Sequence, residues 1–100
     1  MTSQTADNVP NIEDWNLLLD GKVCVVTGGG GGIGRGISTL FASHGAIVEI
    51  AEINEGKANS TVDEIVASGG KARAHVVDVS DENDVAKLKK NILELKYQGR

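Results

Sequence analysis

Positive charge is scarce in this 100-residue chain, whose formal net charge is -4, and aromatic side chains are scarcer still, with one each of Trp, Tyr and Phe. A protein that grips a phosphodiester backbone presents a basic face. Here the lysines near the C-terminus are interleaved with Asp84 and Glu94, so nucleic acid is not an expected partner. A single cysteine, Cys24, excludes an internal disulfide and fits a reducing compartment. It sits in an apolar run with nothing nearby to stabilise a thiolate, so it reads as a small buried hydrophobe, not a nucleophile. Long hydrophobic runs are missing too, and the first residues carry acids where a secretory signal places lysines. The expectation is a cytoplasmic protein without a membrane span. His44 and His75 stand alone without metal-ligand spacing, and no metal site is expected.

What remains is the composition of a soluble globular domain, 40% hydrophobic and 24% charged, with a core that must be built from Val, Ile, Leu and Ala. The length allows one small domain. Residues 1–18 read as a flexible leader, because the stretch up to about Asp14 is polar, aperiodic and holds the only proline, Pro10, while Trp15 and the leucines after it could dock that arm onto the domain. Residues 19–100 then carry regular patterns.

Lys22 to Thr27 is a continuous apolar run rich in valine, which suits a strand covered on both faces. After a glycine run, Ile33, Ile37, Leu40, Phe41 and His44 recur at helical spacing up to a stop at Gly45. Ala46 to Ala51 reads as a second strand with Glu52 to Asn54 as its exit. A second helix follows with a stripe of Ala58, Val62, Ile65 and Val66, ending at Gly69 and Gly70. Lys71 to Asp78 is a third strand. Ser80 is placed to cap a third helix whose first turn is acidic and whose stripe is Val85, Leu88, Ile92 and Leu95. The order β-α-β-α-β-α implies parallel strands joined by right-handed crossovers, half of a doubly wound α/β fold.

The glycine run, Gly28 to Gly32 and Gly34, lies between the first strand and the first helix. Glycine reaches positive φ and has no Cβ, so the chain can turn sharply there and a bulky anion can approach the unpaired N–H groups of the helix start. A carboxylate after the second strand, roughly 20 residues on, completes a dinucleotide fingerprint, and Glu52 stands there. No Gly-Lys-Ser/Thr follows the glycines, which removes the phosphate and magnesium grip of a nucleoside triphosphatase. Glu49 is unusual for a buried strand. Either it reaches an edge or it pairs with a cation.

Thr27-Gly28-x-x-x-Gly32-Ile33-Gly34 resembles the Thr-Gly-x-x-x-Gly-Ile-Gly pattern of the short-chain dehydrogenase/reductase family. The similarity runs from about Leu19 to Arg100 and includes Glu52, at the family's usual aspartate, and Asp78-Val79-Ser80. The resemblance implies the N-terminal half of a Rossmann fold in which Thr27, Gly28, Gly32, Ile33 and Gly34 cradle a nicotinamide cofactor, Glu52 holds the ribose, and Asp78 with Val79 contacts the adenine. It implies an oxidoreductase acting on an alcohol or carbonyl. NAD is expected and NADP less so, because Gly29 to Gly31 and Ile53 stand where members preferring NADP carry Arg or Lys. Arg35, on the first helical turn, is the residue that could reverse this preference.

The family's catalytic elements, an Asn-Asn-Ala-Gly stretch, a serine and a Tyr-x-x-x-Lys pair, are absent from these residues, so no catalytic residue is assigned. Tyr97 falls on the third helix, ahead of any fourth strand. The ending resembles the lead into a fourth strand, which marks the chain as a fragment expected to be inactive alone and to associate through an open edge on the first strand. The resemblance implies that the complete protein binds a small-molecule substrate, and members of the family are usually dimeric or tetrameric through later helices, so a homo-oligomer is one possible state. The competing reading is a truncated, non-catalytic product that binds a nucleotide weakly or serves as an interaction partner.

Overall fold

A computed structural model describes residues 18–98, so most of the expected leader, with Trp15, lies outside the described residues. Strands β1 (Val23–Thr27), β2 (Ile47–Glu52) and β3 (Lys71–Val76) alternate with helices α1 (Gly32–Ser43), α2 (Glu55–Ala67) and α3 (Glu82–Gln98), as the sequence pattern requires. The strands pair in parallel in the order β1-β2-β3, with Val26 opposite Ile50 and Ile50 opposite Ala74. This is the N-terminal half of a doubly wound, Rossmann-type sheet.

Alternation along the strands sends even-numbered residues to one face and odd-numbered residues to the other. Val26, Val48 and Ile50 on the even face pack with Ala42 of α1 and with Ala58 and Ile65 of α2 in one apolar cluster, bordered by Cys24, Ala72 and Ala74. On the odd face α3 lays Val85, Leu88, Ile92 and Leu93 along Val25 in an apolar groove. Val25 stays 48% exposed, and β1 pairs only with β2 among the described residues, so this edge of the sheet is open.

Three expected details differ, each for a packing reason. On α1 the fully or nearly buried residues are Ser38, which packs against Gly29 of the loop, and Ala42, which packs against Gly70 beyond α2, while Ile33 and Leu40 are exposed, because only small side chains fit these close contacts. On α2 the stripe passes through Ala58, Thr61 and Ile65, leaving Val66 outside. The cap of α3 is Asp81, which accepts from the Asn83 amide at 2.8 Å and whose carbonyl receives the Val85 amide, whereas Ser80 donates its hydroxyl to Asp78.

Glu49 finds its cation across the strands. It is completely buried on the odd face and directly opposite Arg73 in the register. Arg73 Nε lies 3.1 Å from both carboxylate oxygens, the Arg73 Nη2 also bonds Oε2, and His75 Nε2 is 2.8 Å from Oε1. Burial pushes the Glu49 carboxyl up, but the hydrogen bonds and charges of Arg73 and His75 outweigh it and hold the group below the usual carboxylate range.

A folded-state value below the unfolded one gives stability that is present above the ordinary carboxylate range and lost as pH falls through the folded value. Urea midpoints from neutral pH downward are expected to fall more steeply for the native chain than for Glu49→Gln. Parallel slopes contradict the assignment. The Thr61 hydroxyl, in contrast, is buried and has no hydrogen-bond partner among the described residues. Thr61→Val keeps the shape and removes that burden, so its urea midpoint is expected to rise by the equivalent of about 1 kcal/mol. An equal fall shows the hydroxyl to be bonded.

Candidate functional site

The three strands end along one edge of the sheet, and the candidate residues gather there. The Gly28 amide donates to the Ala51 carbonyl at 2.8 Å and the Val77 amide to the Glu52 carbonyl at 3.3 Å, so the exits of β1, β2 and β3 are tied side by side. Ligands of open parallel sheets bind beyond the carboxyl ends of the strands.

Between β1 and α1 the chain turns through positive φ at Gly28 (64°) and Gly32 (22°). Gly34 has no room for a side chain, since a Cβ would lie 2.0 Å from the Gly28 carbonyl oxygen. Gly29 presses on Ile50, Ser38 and the Val26 carbonyl, and Gly30 on the Lys57 and Ala58 backbone of α2. Gly31, in contrast, faces open space. The five consecutive glycines therefore do different jobs, with some needed for turning and others for close contact.

The backbone amides sort in the same way. Gly31 donates to the Gly28 carbonyl at 3.3 Å, Arg35 to the Gly31 carbonyl at 2.9 Å, and Gly30 to Glu52 Oε1 at 3.3 Å. The amides of Gly32, Ile33 and Gly34 open α1 with no partner among the described residues, and Gly31, as N-cap, supplies no side chain to take one. Three free donors at the positive end of a helix form a site for an anion.

Glu52 is half-buried, and its second oxygen, Oε2, accepts the Asn54 amide at 3.1 Å. Asn54 in turn caps α2, accepting the Lys57 amide on Oδ1 at 3.0 Å. Sequence reasoning read Asn54 only as part of a strand exit, although an asparagine just ahead of a helix is a capping signal. The contact of Gly30 with α2 carried no local signal at all. Thr27 is exposed beside the loop. Asp78 and Val79 follow β3, and the bonds of Asp78 run to Ser80, Asp81 and Asp84, not to the glycine loop. The Asp78 carboxylate accepts the Ser80 hydroxyl at 2.6 Å and the Ser80 amide at 3.0 Å, which hold it below the usual range, and the Asp78 amide donates to Asp84. Val79 is half exposed.

Arg35 is engaged elsewhere. Its guanidinium pairs with Glu64 of α2, and Ile53 is 65% exposed beside Glu52. A cleft of about 430 Å³ lies at the other end of the helices, lined by Thr39, Ser43, Glu64 and Ser68 among others. Its hydroxyls donate to carbonyls of their own helices and Glu64 is held by Arg35, so it offers no free group to select a ligand. Among the described residues no helix is long and apolar enough to cross a membrane.

A parallel βαβαβ unit with a glycine turn opening its first helix and an acid closing its second strand defines a Rossmann-type nucleotide fold. The description "short chain dehydrogenase" matches residues 22–97, and the chain belongs to that family. It is similar to the 7alpha-hydroxysteroid dehydrogenase of Escherichia coli (strain K12), with 45% identity over 73 residues, which cover 73% of this chain and 29% of that protein. A 7alpha-hydroxysteroid dehydrogenase solved in complex with NADH and 7-oxo glycochenodeoxycholic acid superposes with a TM-score of 0.77 at 41% identity, over 81% of this chain and 32% of that one. A metagenomic short-chain oxidoreductase in complex with NADP gives 0.74 at 36% identity, over 82% and 36%. The chain thus spans about a third of the length of these relatives, and both forms of the nicotinamide cofactor occur among them.

The loop contacts separate two glycines that look alike in sequence. Gly34→Ala is expected to cost about 3 kcal/mol or more, or to prevent folding, although alanine is otherwise the better helix residue. Gly31→Ala is expected to cost less than about 1 kcal/mol. Urea unfolding of both variants checks this, and similar midpoints would show that the loop is not packed as described.

Proposed function

We propose that this chain is the cofactor-binding portion of an NAD-dependent oxidoreductase that moves a hydride between a nicotinamide cofactor and an alcohol or carbonyl substrate. The observation that carries the reading is the set of free amides of Gly32, Ile33 and Gly34 beside the Glu52 carboxylate at the carboxyl ends of the strands. The amides fit a diphosphate, donating into its negative oxygens with the helix dipole behind them. Glu52 would accept hydrogen bonds from the adenosine ribose hydroxyls, and Asp78 and Val79 would contact the adenine. With Thr27 and Gly28 shaping the turn, the roles follow the family resemblance. When bound, the cofactor supplies the hydride chemistry.

NAD is favoured over NADP on charge. A 2′-phosphate would approach the Glu52 carboxylate and find no Arg or Lys within the glycine loop or directly after β2, the nearest lysine being Lys57 in the first turn of α2. Gly29 to Gly31 carry no side chain, Ile53 is apolar, and Arg35 is held by Glu64. The proton-transfer pair implied by the resemblance is not among these 100 residues, so the activity proposed is that of a whole protein to which this chain contributes cofactor binding. That protein is proposed to act in the cytoplasm on a small-molecule substrate, as a homo-oligomer.

Calorimetric titration of the chain tests the reading. NAD is expected to bind at least about tenfold more tightly than NADP, the equivalent of about 1.4 kcal/mol. Tighter binding of NADP removes the selective role of Glu52, and binding of neither ends the proposal.

A further inference from the structure

We propose that Glu52 is also a positioning residue, a latch that fastens the glycine loop to the start of α2 before any cofactor arrives and so sets the free amides of α1 in advance. The inference rests on the cofactor-site reading above and adds a second duty to this side chain.

A run of glycines is the least ordered backbone a sequence can offer, and it carries no side chains with which to hold itself. Its backbone bonds, Gly28 to Ala51 and Gly31 to Gly28, leave the Gly30 amide to be held from outside the run. Among the described residues Glu52 is the only side chain hydrogen-bonded to the segment from Gly28 to Gly32, through Oε1 and the Gly30 amide at 3.3 Å. Its other oxygen holds the Asn54 amide at 3.1 Å, and Asn54 caps α2. One carboxylate therefore bridges two loops. The same junction is closed sterically, because the Gly30 backbone lies so near α2 that a Cβ would come within 2.7 Å of the Lys57 carbonyl carbon and 2.9 Å of the Ala58 nitrogen.

An ionised carboxylate offers about four lone-pair sites, and the latch uses two of them. The rest stay free for the ribose hydroxyls, so holding the loop and holding the sugar are compatible. A glutamine has a single acceptor oxygen and would turn its NH₂ toward one of the two amides. An aspartate keeps the charge but falls one methylene short of spanning both.

The test separates the latch from the sugar contact. Hydrogen exchange of the Gly30 and Asn54 amides is followed by NMR in the ligand-free chain, with the Val48 amide of the central strand as reference. Both amides are expected to exchange about tenfold faster in Glu52→Gln and Glu52→Asp, with Val48 unchanged. Inorganic pyrophosphate touches no sugar contact, and its affinity is expected to fall about threefold or more in Glu52→Asp, where the local charge is kept. Unchanged exchange in both variants overturns the latch. Faster exchange with unaltered pyrophosphate binding overturns the positioning role. Failure of the native chain to bind NAD defeats the cofactor reading alone, since the exchange and pyrophosphate measurements still decide the latch.

Discussion

One close approach, the Gly28 carbonyl against the α-carbon of Gly34, governs the geometry of the site end of this molecule. Because no side chain stands between them, α1 begins almost on top of the turn that leaves β1. That proximity sets Ser38 against Gly29 on the inner face of α1, while Ile33 and Leu40 are turned outward. It also brings the start of α1 to the carboxyl end of β1, where the amides of Gly32, Ile33 and Gly34 have no partner among the described residues. The missing side chains let the helix close in, and the first turn of any helix leaves its amides unpaired, so packing and free donors meet at one place.

The two glutamates of β2 show how little a residue type says without its neighbours. Glu49 and Glu52 are three positions apart and face opposite sides of the sheet. The first is enclosed and paired with Arg73, with the His75 ring also in hydrogen-bond contact, so removal from water is offset by direct bonds. The second stays partly open and holds backbone amides instead. Only the second retains acceptor capacity toward the solvent side, so only it can serve a ligand.

The order of elements was legible in the sequence, because strand and helix periods and glycine stops are local signals. The glycine loop and Glu52 were legible for the same reason, each lying at the end of a recognisable strand. Facing was harder. Ile33 and Leu40 fit a helical stripe as well as Ser38 and Ala42 do, and only the distance to the loop decides between them. The cation beside Glu49 was hidden because it sits 24 residues away on a parallel neighbour. Gly30 meets the backbone and Cβ of Lys57, and within a run of five glycines nothing in the sequence singles out which one makes that contact. What escaped the sequence was contact between elements, and that includes the feature that organises the site.

The pairing of Glu49 with Arg73 has a further consequence for how β3 is aligned. Parallel strands of valine and alanine can slide past one another with little change in apolar contact, and a shift of one residue reverses which side chains face which layer. Here such a shift would set an alanine, Ala72 or Ala74, against an enclosed carboxylate and swing a guanidinium into the layer beneath α1 and α2. The ion pair therefore acts as a key cut for a single alignment, rejecting the neighbouring ones by the charge each would strand in oil.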